Sequence, residues 1–159
     1  QASFGNLKSM IDFVQGNILE APVQAVVNAV NAKGVMGNGL ALQFRKAFPQ
    51  ASQAYEQAAR RGDLMPGGVL LAETGLPGNI RYVLHAATKD HWRNPSRLEW
   101  VESALVQLVE IVRTHNIESV ALPALGCGLG GLAWPTVKAR MEVVLAKLPE
   151  TRILVYLPQ

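Results

Sequence analysis

"NAVNAKGVMGNGLALQ", residues 28 to 43, sets two asparagines three positions apart and follows them with Gly34, Gly37 and Gly39. Glycine loses more backbone freedom on ordering than any other residue. A cluster therefore marks a chain that turns sharply or brings its amides close to a ligand. On the amino side, "QAVVNAV" (24–30) is short and β-branched, which predicts a strand. On the carboxyl side, Leu40, Ala41, Phe44, Ala47 and Phe48 recur at helical spacing until Pro49 closes the segment. The glycines thus sit where a strand gives way to a helix.

The neighbouring segments extend this pattern. "IDFV" (11–14) predicts a first strand, separated from the second by Gly16 and Pro22. Ala51, Ala54, Tyr55, Ala58 and Ala59 predict a second helix ending at Gly62. "GVLLAET" and "IRYVLHAAT" predict two further strands joined through the turn "GLPGN". From Ser96 to His115, Leu98, Val101, Leu105, Leu108, Val109 and Val112 form one apolar stripe, and Ser96 with Glu99 is expected to form a capping box. "SVALP" predicts a buried strand, "WPTVKARMEVVLAKL" a helix with Pro135 in its first turn, and "RILVYL" a last strand. The order β-β-α-α-β-β-α-β-α-β predicts one α/β domain, a mixed central sheet with helices on both faces in three α/β/α layers.

A chain of 159 residues and 17.2 kDa, 49% hydrophobic and 17% charged, has enough apolar content for a single packed domain. No apolar run approaches the ~18 residues of a membrane span, and "QASFGNLKSM" has neither the basic nor the apolar part of a secretory signal. Residues 1–9 are expected to be an expression remnant ahead of a domain spanning 10–159. One cysteine, Cys127, excludes an internal disulfide and fits a reducing cytoplasm. No residues are spaced as metal ligands, and no cofactor is implied. The net charge of +3 tolerates a polyanion, but dense basic stripes are lacking. Arg45-Lys46 and Arg60-Arg61 read as solvated helix faces.

A second glycine cluster, "ALGCGLGGLAW", follows "SVALP" and again precedes a helix. In open α/β sheets the crevice beyond the carboxyl ends of the strands is the usual ligand site, and helix amino ends favour phosphate. The spacing of Gly126, Gly128, Gly130 and Gly131 does not fit the dinucleotide fingerprint. "GVMGNGLA" lacks the Lys-Ser/Thr of a Walker loop. Two such loops at strand-to-helix junctions suit a diphosphate closed between them.

The run "VQGNILEAPVQAVVNAVNAKGVMGNGLALQFRKAFP" with "ALPALGCGLGG" resembles the macrodomain family, the ADP-ribose-binding module, over essentially the whole chain from Met10. "GVMGNGLALQFRKAFP" together with "HAATKDHWRNPSRLEW" is similar to the hydrolase branch that removes ADP-ribose from thymine bases in single-stranded DNA as an antitoxin. It is more distantly similar to the terminal ADP-ribose protein glycohydrolases. The resemblance implies that Asn17, standing where the family commonly has aspartate, and the Ile18 backbone meet adenine. Asn31, Met36, Gly37, Asn38 and Gly39 are implied to face the distal ribose. Gly126, Cys127, Gly128, Leu129 and Gly130 are implied to cradle phosphate, and Tyr156 to pack near adenine. Asn28 is expected to be structural, and Cys127 a packing residue without nucleophilic character.

In that branch the T-K element, here Thr88-Lys89, supplies the catalytic lysine. Lysine serves as nucleophile when neutral, or stabilises and protonates the departing thymine when charged; a neighbouring diphosphate favours the second role. Asp90 is the sole acid beside the presumed site, and the second glycine loop contains none, unlike the protein-directed relatives. His91, Trp92, Arg93 and Arg97 have the aromatic and cationic character of a nucleotide platform, although Trp92 in the core and His91 as a loop cap are an equal alternative. The implied partners are ADP-ribose, ADP-ribosylated single-stranded DNA and a DNA-modifying toxin reached through a domain outside this chain. A reader without activity and a hydrolase of protein-linked esters are the rival readings.

Overall fold

The computed structural model describes residues 10–159 and forms one six-stranded sheet between two helical layers. The strands are β1 (Ile11–Val14), β2 (Ala25–Asn31), β3 (Val69–Glu73), β4 (Tyr82–Lys89), β5 (Ser119–Leu122) and β6 (Arg152–Tyr156). The helices are α1 (Gly39–Ala47), α2 (Pro49–Arg60), α3 (Leu98–Thr114) and α4 (Trp134–Leu145), with short 3-10 turns at Ile18–Glu20 and Gly128–Gly130. Sheet order is β1-β6-β5-β2-β4-β3. Every neighbouring pair is parallel except β3 with β4. The mixed sheet and three layers agree with the order read from the sequence.

Alternation along β2 and β4 explains why both faces are covered. Val27, Ala29, Leu84 and Ala86 pack toward α3 and α4, whereas Val26, Val30, Val83 and Ala87 pack toward α1 and α2. The α3 stripe of Val101, Leu105, Leu108, Val109 and Val112 is buried as its spacing requires. Pro49 and Pro135 both lie in the first turns of their helices, where a missing N–H leaves no gap. Arg45, Lys46, Arg60 and Arg61 are exposed at helix ends.

One local expectation is corrected. Arg97, not Ser96, is the residue before α3, and it makes no side-chain cap bond. Ser96 is instead buried: its N–H donates to Gly130 O at 3.0 Å, and its hydroxyl lies 3.4 Å from Thr88 Oγ1. A tertiary contact with the second glycine loop has replaced the local cap, and Glu99 remains at the surface near Arg97.

Candidate active site

Because β1, β6, β5, β2 and β4 are parallel, their carboxyl ends share one edge of the sheet. That edge carries Gly16 and Asn17 after β1, the loop after Asn31, the Lys89 segment, the second glycine loop and Tyr156. Two open depressions of about 460 and 350 Å³ lie at the opposite edge, one beside Tyr82 and Glu73, the other beside Gln24 and Ser119. Neither is near Lys89 or the glycine loops.

Asn31 organises the loop that follows it. Its Oδ1 accepts from Lys33 N at 3.0 Å and Val35 N at 3.3 Å, and its Nδ2 donates to Val35 O at 2.9 Å. The side chain is buried, so Asn31 is first a shaper of the loop. Met36 does not face the crevice: it is 2% exposed and belongs to the core beneath α1 and α2. The turn held by Asn31 directs this flexible apolar side chain inward, correcting the expectation that it lines a ribose site. Gly37, Asn38 and Gly39 are exposed at the start of α1. Gly39 has φ +55°, and Asn38 leaves the first amides of α1 without a side-chain cap.

The second loop is shaped by close contacts. A Cβ on Gly126, at φ +75°, would meet Leu132 Cδ1 at 2.6 Å, and one on Gly130 would collide with Ser96 Oγ. Not all five expected amides point outward. Cys127 N donates to Ala124 O and Gly130 N to Cys127 O, because the turn is closed by these bonds. The amides of Gly126, Gly128 and Leu129 have no backbone partner among the described residues. Leu129 is 81% exposed at the tip. Burial raises the Cys127 thiol above its ordinary value, which keeps it protonated and unsuited to attack.

Asn17 is exposed; its Oδ1 accepts from Leu19 N at 3.0 Å, capping the first 3-10 turn and leaving a lone pair outward. Ile18 buries its side chain in the core. Tyr156 is half-buried at the end of β6, and a Cβ on Gly16 would lie 3.8 Å from its Cε2. Burial pushes its hydroxyl above the ordinary tyrosine value.

Lys89 ends β4 opposite Asn31, and its Nζ donates to Trp92 O at 3.3 Å. Ala32 N, in the first loop, lies 3.0 Å from Lys89 O and 3.1 Å from Asp90 O. Asp90 is itself engaged by Lys33 Nζ at 3.5 Å. Trp92 is 45% exposed, with the His91 ring tilted against it at 5.4 Å and the Arg93 guanidinium 4.8 Å over it, so it is not a core residue. His91 also caps its loop, Nδ1 accepting from Arg93 N at 3.2 Å. Arg97 lies over Trp100 at 5.0 Å. The edge thus collects loop amides without a backbone partner, Lys89, the Lys33–Asp90 pair and an exposed aromatic with a cation over it.

A sequence model of the family described as "Macro domain" matches residues 27–141. The chain belongs to the macrodomain family. A protein of Thermus aquaticus named DNA ADP-ribosyl glycohydrolase is 48% identical over 149 residues, which cover 94% of this macrodomain and 41% of that protein. The macrodomain of Mycobacterium tuberculosis DarG superposes with a TM-score of 0.92 at 39% identity, covering 96% of this chain and all of that one. Thermosipho africanus DarTG in complex with ADP-ribose gives 0.87 at 34% identity, covering 96% of this macrodomain and 42% of that chain. The chain spans 41–42% of the length of the Thermus aquaticus and Mycobacterium tuberculosis proteins named DNA ADP-ribosyl glycohydrolase. Among the described residues, no helix is long and apolar enough to cross a membrane, and no group of three or more His, Cys, Asp or Glu is placed to hold a metal.

Three buried polar residues next to these loops were not read from the sequence as part of the site. Tyr55 and His85 are buried polar groups at positions where the local pattern calls for apolar ones, and Ser96 is buried where a local cap was expected. That mismatch is the sign by which such residues are found.

Proposed function

We propose that this macrodomain is a glycohydrolase that removes ADP-ribose from ADP-ribosylated thymidine in single-stranded DNA, and so acts as an antitoxin against a DNA-modifying toxin. The observation that carries the reading is the position of Lys89: it pairs with Asn31 at the end of β4 and its amine donates to Trp92 O, in a segment that also presents Trp92 and Arg93 to solvent. The relatives named DNA ADP-ribosyl glycohydrolase support the reaction, and the solved complex of DarTG supports ADP-ribose as the ligand.

In this account the amides of Gly126, Gly128 and Leu129 and the start of α1 take the diphosphate, whose oxygens need donors that a Cβ would hold away. Asn17 accepts from the adenine amino group with its outward lone pair, beside Tyr156. The second N–H of Asn31 Nδ2 reaches a distal ribose hydroxyl. Cleavage breaks the bond between the anomeric carbon and thymine N3 through an oxocarbenium-like state, and water supplies the new hydroxyl. Lys89 acts as a cation that stabilises and protonates the departing thymine, an imide whose anion is a tolerable leaving group. The extruded base stacks on Trp92 while neighbouring phosphates meet Arg93 and Arg97. Asp90 is paired with Lys33 and the second loop contains no acid, which disfavours chemistry that needs a carboxylate.

The test compares two substrates. A thymine-linked oligonucleotide is expected to release ADP-ribose, and a glutamate-linked peptide to release far less. The reverse preference would assign the chain to protein esters. Tight binding of ADP-ribose with turnover of neither substrate would make it a reader.

A further inference from the structure

Four polar side chains connect the apolar layer beneath α2 to the first glycine loop. Asn28 and His85 are opposite each other in the β2–β4 register and fully buried. His85 Nε2 lies 2.9 Å from Ala51 O on α2, and its Nδ1 lies 3.3 Å from Asn28 Nδ2. A carbonyl can only accept, so the ring carries hydrogen on Nε2 and accepts at Nδ1. Tyr55, also fully buried, stacks on that ring at 5.1 Å and 27°. Its hydroxyl reaches Asn31 O at 2.7 Å and Asn31 Oδ1 at 3.1 Å. Asn31 then holds Lys33 and Val35.

The loop also rests on α2 directly. A Cβ on Gly34, at φ +85°, would approach Ala59 Cβ at 3.2 Å and Glu56 O at 3.4 Å. Glycine allows this approach, and Tyr55 supplies a hydrogen bond from the same helix. Replacing its hydroxyl by hydrogen would leave the buried Asn31 carbonyl without that donor, while the ring stack on His85 could persist.

We propose that Tyr55 is a positioning residue for the ligand-binding loop: through Asn31 its hydroxyl fixes the backbone of residues 32–38 and the place of the Asn31–Lys89 pair at the sheet edge. The relevance to affinity rests on the reading that this loop lines an ADP-ribose crevice. Tyr55 touches no ligand itself. Its ring is oriented by neutral His85, so the loop is braced from the centre of the domain.

Tyr55→Phe and Ser52→Ala separate positioning from stability. Ser52 is a buried hydroxyl on the same helix, bonded to Phe44 O at 3.3 Å. Amide hydrogen exchange at Lys33 and Val35 and calorimetric affinity for ADP-ribose are read well below both melting temperatures. Tyr55→Phe is expected to speed exchange at both amides and weaken ADP-ribose by about tenfold each, the equivalent of one lost hydrogen bond. Ser52→Ala is expected to lower the melting temperature and change neither. Unchanged exchange and affinity in Tyr55→Phe, or equal changes in Ser52→Ala, would overturn the proposal. If the unaltered protein fails to bind ADP-ribose, the functional reading falls, and the exchange rates alone decide whether Tyr55 positions the loop.

Discussion

Lys89 stands opposite Asn31 because β4 carries one more residue than β2 at that point. Val30 pairs with Ala87 and the next pair is Asn31 with Lys89, so Thr88 is left over as an irregularity in the ladder. A one-residue shift changes which side chains lie side by side, and such bulges re-aim functional groups at strand ends. The extra residue is itself held, its hydroxyl 3.4 Å from that of Ser96, and Ser96 N–H fastens Gly130 O. The lysine and the second glycine loop are thereby fixed to one another.

Gly130→Ala tests that fastening. The new Cβ would collide with Ser96 Oγ and fall 3.0 Å from its Cβ, so Ser96 or the loop must shift. Overpacking of this kind costs about 1–3 kcal/mol, and a displaced loop is expected to weaken ADP-ribose by about tenfold or more. Urea unfolding and calorimetry check the two effects, and Ser96→Gly in the same chain should restore part of each. Full affinity in Gly130→Ala would show that the Ser96 contact does not set the place of this loop.

Trp92→Ala separates DNA contact from ADP-ribose contact. Base stacking on an aromatic is worth about 1–3 kcal/mol, so KM for an ADP-ribosylated oligonucleotide should rise by about tenfold while affinity for free ADP-ribose stays the same. A change in ADP-ribose affinity with no change in KM would place Trp92 at the wrong part of the site.

His85 links stability to pH. Burial lowers it from 6.5 to about 4, with the Ala51 carbonyl opposing in part, so the folded chain keeps it neutral. Between pH 4 and 6.5 the unfolded chain binds more protons than the folded one, so stability rises with pH across that window. The contribution is fully present above 6.5 and is lost as pH falls through 4. It amounts to about 3 kcal/mol at most. Urea midpoints should fall more steeply from pH 7 to pH 4 in the unaltered chain than in His85→Gln, which retains a donor near Ala51 but does not titrate. Equal slopes would contradict the assignment.

Element order and sheet class were readable because strand alternation and the α3 stripe are strong periodic signals, and proline and glycine mark their ends. The two loops were readable as strand-to-helix junctions because glycine is unfavourable inside either element. What escaped was decided by tertiary contact. Ser96 fits a local capping box, yet the Gly130 carbonyl captures its amide. Met36 lies within the loop motif but packs inward once Asn31 closes the turn. Tyr55 sits among alanines at helical spacing, and only the fold reveals that its hydroxyl reaches Asn31. Trp92 had two even readings; its exposure removes the core one, while His91 does cap its loop.

The most direct test is single-turnover release of ADP-ribose from an ADP-ribosylated thymine oligonucleotide by the unaltered protein and by Lys89→Ala, with ADP-ribose affinity measured on both. The account predicts release slowed by at least about 100-fold, as expected when a positioned acid is removed, and affinity changed by less than about threefold. Release at an unchanged rate by Lys89→Ala would contradict it.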